Sequence, residues 1–354
     1  NLMLSPLSAS VALTMLLNGA DGETAAQIQQ ALGYPAGWDL AQINADYQSL
    51  REQLLRADEE VQLALANAAF YRESFDATSP FKPPFLDVLR TGYDARVEGL
   101  DFSAASALDT INGWASENTN GRIPTVLEEI DPTLVLVLMN ALYFKGSWST
   151  PFDEDDTAPA PFTRADGSTV QAQTMAATVL VWSASGDGYQ AVELPYGRKN
   201  FSMVVLLPAD PATPLSAFAA QLDAGLWDDA TTRLGAVPDP GDLRVRLPRF
   251  SFSYDQALNS HLQALGIRDA FVEGRADLSR MNDAPLFLSF VKQNTFVEVN
   301  EEGTEAAAVT TGGIGVTSVP PSFAADRPFV FAIRERTTNT LLFIGQVTDP
   351  TAES

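Results

Sequence analysis

Residue types that carry out enzymatic chemistry are scarce in this sequence. His261 is the only imidazole among 354 residues, and there is no cysteine. A Ser-His-Asp triad would have to use His261, but no nucleophile-elbow sequence accompanies it, and the surrounding residues 257–265 predict a short amphipathic helix with the histidine on its surface. The lack of cysteine excludes disulfides, thiolate metal sites and cysteine nucleophiles. The sequence therefore predicts a protein that is not an enzyme.

Two further segments have only some of the features of ligand sites. Asp153–Asp156 is a run of four carboxylates without the spacing of a calcium loop, so we interpret it as a solvated acidic turn. Gly312–Gly315 is rich in glycine, but no Gly-Lys-Ser/Thr follows, and Pro320 and Pro321 prevent the helix that a phosphate loop needs. We expect neither a metal nor a cofactor.

The charge balance limits the classes of partner. The chain has 45 acidic and 22 basic residues, which gives a net charge of −23. Nucleic acids and anionic membranes attract Lys/Arg patches, so we expect neither as a partner. The longest apolar stretch, Leu134–Phe144, is about half of the ~20 residues that a membrane-spanning helix needs.

The hydrophobic periodicity predicts helices early in the chain and strands late. Helices are predicted over residues 6–19, 22–33 and 103–118, and strands over residues 61–70, 134–144, 201–207, 243–252, 329–333 and 341–347. The turns at 208–214 and 237–242 are too short to separate domains. Since there is no internal repeat, we expect one large α+β domain over residues 1–354.

Glu298–Pro321 is the segment that an ordinary fold does not explain. Between Ala306 and Val319 it has no charge, no proline and nothing larger than isoleucine. Small and β-branched residues are accepted on either face of a sheet, and a long exposed segment of this kind is normally a pairing hazard. We infer that strand pairing is the purpose of this segment.

Motifs along the whole chain resemble the serpin family. Residues 301–308, Glu-Glu-Gly-Thr-Glu-Ala-Ala-Ala, resemble the family's hinge. The family's opening strand and helix are matched by residues 1–8, its central strand by residues 140–148, and its closing strands by residues 326–333 and 342–350. The hinge residues implied by this resemblance are Glu301, Gly303, Thr304, Glu305, Ala306, Ala307 and Ala308. Trp148 matches the tryptophan at the top of the main sheet.

The resemblance implies the serpin fold. This is a single large domain with three β-sheets, among them a large central mixed sheet (sheet A), surrounded by about eight or nine helices. It carries an exposed reactive-centre loop, here residues 303–321. The resemblance also implies a helix before Asn1, which the sequence does not contain.

A polar network under the centre of the main sheet is also implied. Its members here are Ser5, Ser8, Asn140 and Gln293. The family often has a histidine where this chain has Gln293. Because glutamine donates and accepts hydrogen bonds without titrating, we do not expect a pH-dependent opening of the sheet.

The implied function is inhibition of serine proteases by a suicide-substrate mechanism. A protease cleaves the loop and is caught as an acyl-enzyme, and the loop inserts as a new strand of the main sheet. Residues 303–316 would span ~46 Å at ~3.3 Å per residue. Strand alternation would direct Thr304, Ala306, Ala308, Thr310 and Gly312 inward, and would leave Glu305 on the outward face.

A gap-free alignment of the loop places the reactive bond between Thr317 and Ser318, with Val316–Thr317 as the alternative. A small β-branched residue suits elastase-like, subtilisin-like or chymotrypsin-like proteases, and no Lys or Arg lies between Gly303 and Pro321. Heparin activation is not expected, since the only basic residues of 74–93 are Lys82 and Arg90.

The remaining expectations concern setting and role. We expect a monomer that is secreted, and the excess of arginine over lysine with abundant alanine indicates a bacterial source. The alternative function is that of a non-inhibitory serpin, acting as a carrier or chaperone. The glycines at 312, 313 and 315 favour that alternative, because glycine weakens a strand and slows insertion.

Overall fold

The computed structural model describes residues 1–35, 37–304 and 321–352. These ranges contain nine α-helices: α1 (Pro6–Leu17), α2 (Gly22–Ala31), α3 (Leu40–Arg56), α4 (Glu73–Asp76), α5 (Pro83–Gly92), α6 (Ala105–Asn118), α7 (Leu215–Ala219), α8 (Ala224–Gly235) and α9 (Asn259–Ala264). Short 3₁₀ helices lie at Glu154–Asp156 and Asp269–Phe271. None of the helices in these ranges has the length and apolarity needed to cross a bilayer.

The same ranges contain fifteen strands. They are β1 (Leu2–Leu4), β2 (Val61–Arg72), β3 (Ala95–Leu100), β4 (Leu136–Ser147), β5 (Ala158–Thr163), β6 (Thr169–Gly186), β7 (Tyr189–Tyr196), β8 (Phe201–Pro208), β9 (Gly241–Pro248), β10 (Phe250–Ala257), β11 (Lys292–Asn300), β12 (Gly303–Thr304), β13 (Ser322–Ala324), β14 (Phe329–Glu335) and β15 (Thr340–Val347).

One sheet, here called the main sheet, has six strands in the order β10-β11-β12-β4-β2-β3. Only β2 and β3 pair in parallel, so the sheet is mixed. The central pair of strands, β4 and β11, are joined through the two residues of β12. The main sheet is therefore held together at its centre by the shortest of its strands.

The long strand β6 belongs to two sheets at once. Its residues Trp182–Gly186 pair with β7, which continues through β8, β14 and β15 to β1; we call this the second sheet. Its residues Thr174–Val181 pair with β9, its first residues pair with β5, and β13 pairs with β9; we call this the third sheet. The three sheets and the nine helices confirm the predicted α+β fold.

The central core lies between the main sheet, the second sheet and α1. Aromatic rings connect the two sheets: the Phe250 ring of β10 lies 5.3 Å from the Phe331 ring of β14, centroid to centroid. Helix α1 begins at Pro6, after the Ser5 side chain accepts a hydrogen bond from the backbone N–H of Ser8. Most of its residues are buried, because it is enclosed by strands and helices on several sides.

Two smaller apolar clusters cover the outer faces of these sheets. Helices α7 and α8 pack on the second sheet, where Phe218 and Trp227 contact Val204 and its neighbours. Helix α6 packs on the front of the main sheet through Ile111 and Trp114. The predicted helix over 103–118 is thus observed with its apolar face on a sheet, beginning at Ala105.

One predicted strand is wrong as a single element. Residues 243–252 form two strands in different sheets, β9 in the third and β10 in the main sheet. Arg249 separates them, and its backbone N–H still donates to the carbonyl of Gln173 in β6, one position beyond the Thr174–Pro248 pair, before the chain enters the main sheet at Phe250. The apolar alternation continues through this junction, so the pattern alone does not reveal the change of sheet.

A buried ionic cluster connects strands of the second sheet. The Glu193 carboxylate of β7 is fully buried and accepts from the Arg334 Nη2 at 2.7 Å, the Arg336 Nε at 3.1 Å and the Ser202 hydroxyl at 2.6 Å. The Arg336 guanidinium also lies 3.9 Å from the Trp182 ring centroid. Arg334 is itself buried, so its charge depends on Glu193 for compensation.

We therefore expect Glu193→Gln to lower the free energy of unfolding by about 3 kcal/mol, because it leaves a buried guanidinium without its anion. The matched control is Glu98→Gln, which breaks the half-exposed pair with Arg96 and should cost less than about 1 kcal/mol. Chemical unfolding of both variants checks this. Equal losses would contradict the assigned role of the cluster.

Candidate functional site: the hinge and the cleft of the main sheet

The hinge enters the main sheet through a glycine that no other residue can replace without strain. Gly303 pairs with Asn300 of β11 and Ser147 of β4. Its φ is +147°, and a Cβ atom there would lie 2.1 Å from the carbonyl oxygen of Gly146. The strands approach each other closely enough at this point to require glycine.

Thr304 points into the core beside a buried tyrosine. Its side-chain oxygen lies 2.7 Å from the Tyr196 hydroxyl, and Thr304 is only 4% exposed. Burial raises the pKa of Tyr196, so the phenol stays protonated and takes part in this hydrogen bond as a neutral group. The Tyr196 ring is stacked on Trp148 at 4.4 Å and meets the edge of Phe144 at 5.1 Å. The first inward side chain of the hinge thus fits a preformed aromatic site.

Trp148 holds the turn that precedes the hinge. Its indole N–H donates to the carbonyl of Asn300 at 2.9 Å, and its backbone N–H donates to the carbonyl of Glu302 at 2.8 Å. Trp148 is therefore placed at the end of β4, where it contacts the chain on both sides of Glu301.

Glu301 is the buried anion of this turn. It is 2% exposed, and its carboxylate accepts from the Arg249 Nε at 2.6 Å and from the Thr157 hydroxyl. Its carbonyl accepts from the backbone N–H of Phe152 at 2.9 Å. Arg249, the residue that separates β9 from β10, is in this way the cation that neutralises the start of the hinge.

The carboxylate of the next residue, Glu302, is in an environment that disfavours its charged form. Burial raises the pKa of Glu302, and the negative charges of Glu154 and Glu301 add to the increase, while Lys145 opposes it. Glu154 belongs to the acidic run at 153–156, which forms a short 3₁₀ helix. The run therefore lies close enough to the hinge to affect its electrostatics.

Below Thr304, β4 and β11 diverge. No pairing joins these two strands directly within the described ranges. The described residues leave a cleft of about 260 Å³ between them, lined mainly by apolar side chains of β4, α1 and residues 285–291 and by Trp114 of α6. On the β11 side it is lined by the polar residues 292–295. A smaller space beside Thr304 continues the line of β12 toward this cleft. The cleft thus runs from the end of the hinge along the centre of the main sheet.

The predicted polar network lies at this cleft. The backbone N–H of Ser5 donates to the Gln293 Oε1 at 2.8 Å, and the Gln293 Nε2 donates back to the carbonyl of Ser5 at 2.8 Å. The Ser8 hydroxyl donates to the carbonyl of Asn140 at 3.4 Å. The start of α1 therefore contacts both β11 and β4, while Gln293 and Asn140 do not bond to each other.

Asn140 has a further partner that the sequence analysis did not include. Its Nδ2 donates to the Asn67 Oδ1 at 2.8 Å, and Asn67 donates to the Tyr47 hydroxyl and the carbonyl of Tyr93. The Asn140 Oδ1 is buried and has no hydrogen-bond partner among the residues that the structure describes. Asn67 lies opposite Asn140 in the β2–β4 register, so the alternation of β2 places it in the core, but no local motif marks it.

Several predicted site residues are outside the described ranges. These are Glu305, Ala306, Ala307, Ala308, Thr317 and Ser318, together with the glycine-rich residues 312–315. The residues that sequence reasoning missed are Tyr196, Arg249 and Asn67, each distant in sequence from the group that it contacts. His261 lies exposed on α9, in agreement with its interpretation as a surface residue.

Comparison with known proteins agrees with this architecture. The family model for "Serpin (serine protease inhibitor)" matches residues 1–350. Serpin B6 of Macaca fascicularis is 37% identical over 358 residues, covering 99% of this chain and 93% of that protein, and leukocyte elastase inhibitor of Bos taurus is 37% identical over 365 residues with the same coverage. The native state of the thermophilic serpin tengpin superimposes with a TM-score of 0.86 at 30% identity, covering 99% of this chain and 88% of that chain.

The chain therefore belongs to the serpin family. Its relatives are named protease inhibitors, which are not enzymes, as the sequence predicted. Two other expectations, secretion and a bacterial source, are not confirmed. Serpin B6 and leukocyte elastase inhibitor are intracellular clade B serpins, so the prediction of secretion is wrong. These vertebrate relatives also give no support to a bacterial source. The expectations of a monomer and of no heparin activation stay predictions.

The Thr304–Tyr196 contact leads to a stability test. Thr304→Val leaves the buried Tyr196 hydroxyl without a partner and should lower the unfolding free energy by about 1–3 kcal/mol. Adding Tyr196→Phe removes the second polar group and should recover most of that loss. Chemical unfolding of the single and double variants measures the difference. A double variant less stable than Thr304→Val would contradict the hydrogen bond.

Proposed function

We propose that this serpin inhibits serine proteases as a suicide substrate, with residues 303–321 as its reactive-centre loop. The observation that carries the proposal is the position of β12. Gly303 and Thr304 pair with both β11 and β4, and the described parts of those two strands have no direct backbone pairing with each other. Thr304, after which the loop continues, is thus aligned with a cleft that can accept a strand.

The chemical steps follow from cleavage at the proposed reactive bond. The protease serine attacks the carbonyl carbon of Thr317 and its proton is transferred to the amide nitrogen of Ser318. The Thr317–Ser318 bond breaks, and Thr317 remains attached to the protease as an ester. The loop is then free at this end, since Ser318 stays with β13 while Thr317 can move with the protease. Insertion before hydrolysis of the ester traps the enzyme.

The register of β12 predicts where the inserted residues would lie. Thr304 is opposite Gly146 and Val299, so residue 306 would face Phe144 and Val297, and residue 310 would face Asn140 and Gln293. Residues 306, 308, 310 and 312 share the inward direction of Thr304. Their side chains are small or absent, and Glu305 falls on the outward face.

Hydrogen bonds alone cannot drive this insertion. Each new backbone hydrogen bond contributes about 0.5–1.5 kcal/mol, and ordering each residue costs about 1–2 kcal/mol. The surplus comes from burying side chains in the cleft and from relief of strain in the uncut fold. The uncut protein is the less stable of the two forms under this proposal.

The loop sequence favours proteases with medium-sized apolar specificity pockets. Thr317 is small and β-branched, and so is Val316 at the alternative bond. We therefore propose elastase-like, subtilisin-like or chymotrypsin-like targets. Heparin-type activation has little support, because Lys82 pairs with Asp283 and Arg90 pairs with Asp87.

Incubation with elastase, chymotrypsin or subtilisin tests the mechanism. We expect a protein–protease complex that survives denaturing electrophoresis, together with a loop peptide whose mass places the cut after Thr317 or Val316. Cleavage at that bond without a complex would support the carrier or chaperone alternative. A cut outside residues 315–318 would refute the assigned reactive bond.

Thr304→Arg should convert the inhibitor into a substrate. The site beside Tyr196, where Thr304 is 4% exposed, has no anionic partner for a guanidinium among the described residues, so the introduced arginine would hold the hinge out of the main sheet in the uncut protein. Insertion after cleavage would then have to bury an unpaired charge, at a cost of roughly 3 kcal/mol or more. Loop cleavage should continue while the stable complex disappears. The matched control is Glu305→Arg, which places the same group on the outward face and should retain complex formation. Unchanged trapping by Thr304→Arg would contradict the proposed insertion.

A further inference from the structure

The third sheet presents an arginine-bearing surface directly after the reactive loop. Strand β13 runs parallel to β9, with Ser322 opposite Arg244 and Ala324 opposite Arg246. The backbone N–H of Arg244 donates to the carbonyl of Pro321 at 2.9 Å. The first described residues beyond the loop are thus attached to the strand that carries both arginines.

Alternation places the two arginines on the outward face of this sheet. On β9 the side chains of Leu243, Val245 and Leu247 are buried, whereas Arg244 is exposed and Arg246 is half-buried. The neighbouring outward residues of β6 are Ala176, opposite Arg246, and Thr178, opposite Arg244. Small neighbours leave both guanidinium groups accessible from the same side.

These arginines are unusual for a chain with a net charge of −23. Most of its lysines and arginines form ion pairs, yet Arg244 and Arg246 have neither an ion pair nor a side-chain hydrogen bond with any described residue. Asp242 lies on the same outward row without pairing, and Asp326 beyond β13 pairs with Arg327. Two guanidinium forks are therefore free to bind carboxylates of another molecule in bidentate geometry.

A protease bound at the reactive bond would cover this surface. Ser318 and Ser322 are four residues apart, which limits their separation to about 14 Å. A protease domain of about 230 residues has a radius of gyration of roughly 17 Å. The exposed row that contains Arg244 and Arg246 then falls within its footprint.

We propose that Arg244 and Arg246 form a docking surface for an acidic patch beside the active site of the target protease. The loop sequence alone does not select for such a patch. This inference rests on the proposed inhibitory function. Charges at such a periphery act mainly on the rate of association, because they steer the encounter. Among proteases whose specificity pockets accept Thr317, the two arginines would thus favour those with acidic residues at the rim of the active site.

The test compares R244Q/R246Q with R56Q/R268Q, which also removes two positive charges, from exposed positions that form no ion pair with any described residue. Association rate constants are measured with whichever of elastase, chymotrypsin and subtilisin is trapped fastest. We expect R244Q/R246Q to slow association on the order of 10-fold at about 0.1 M salt, with less effect near 1 M, where the Debye length falls to about 3 Å. The cut position and the number of inhibitors consumed per protease should not change.

The outcomes separate this inference from the function on which it rests. If the wild-type protein traps no protease, the proposed function fails. If R244Q/R246Q traps as fast as wild type, or if R56Q/R268Q is slowed equally, the docking surface is refuted while the inhibitory function stands. Acidic residues at the rim of the protease can also be changed to amides. If this removes the difference in association rate between wild type and R244Q/R246Q, direct docking is supported. A wild-type dimer that R244Q/R246Q abolishes would instead assign the surface to a second copy of this chain.

Discussion

The structure depends on the constraint that the described parts of β4 and β11 are paired only through two residues of a third strand. Backbone donors and acceptors on facing strand edges require partners, and within the described ranges β12 supplies them at one end alone. Gly303 makes this possible, because the approach to Gly146 leaves no room for a side chain. A sheet built in this way has a place for another strand and a fixed register from which that strand would extend.

The surrounding contacts hold the two central strands apart and in position. Trp148 and Arg249 attach the turn at Glu301 near the top of the cleft, and the start of α1 contacts both strands through Gln293 and Asn140 further down. Glutamine at 293 makes both of its bonds to Ser5 without a titrating group. The polar contacts along the cleft therefore do not depend on protonation of a histidine.

The sequence predicted the secondary structure well where each element has one environment. The strand at 61–70 and the helix at 103–118 appear with small shifts of their ends, because each belongs to, or packs on, one sheet along its whole length. The prediction failed at 243–252. Apolar alternation continues there, although the chain leaves the third sheet at Arg249 and enters the main sheet. Within the site, Gly303 and Trp148 were identifiable from motifs, whereas Tyr196 and Asn67 were not, since their roles arise from contacts between distant segments.

The sequence by itself determined the serpin family, the glycine at the hinge, and a loop of small residues without Lys or Arg, because these are properties of residue type and order. Only the tertiary structure decided that Thr304 meets Tyr196, that Glu301 is neutralised by Arg249, and that Arg244 and Arg246 have no ion-pair partner among the described residues. Each of these depends on strand register between segments far apart in the chain. Register follows from how all the sheets pack together, and no local pattern contains that information.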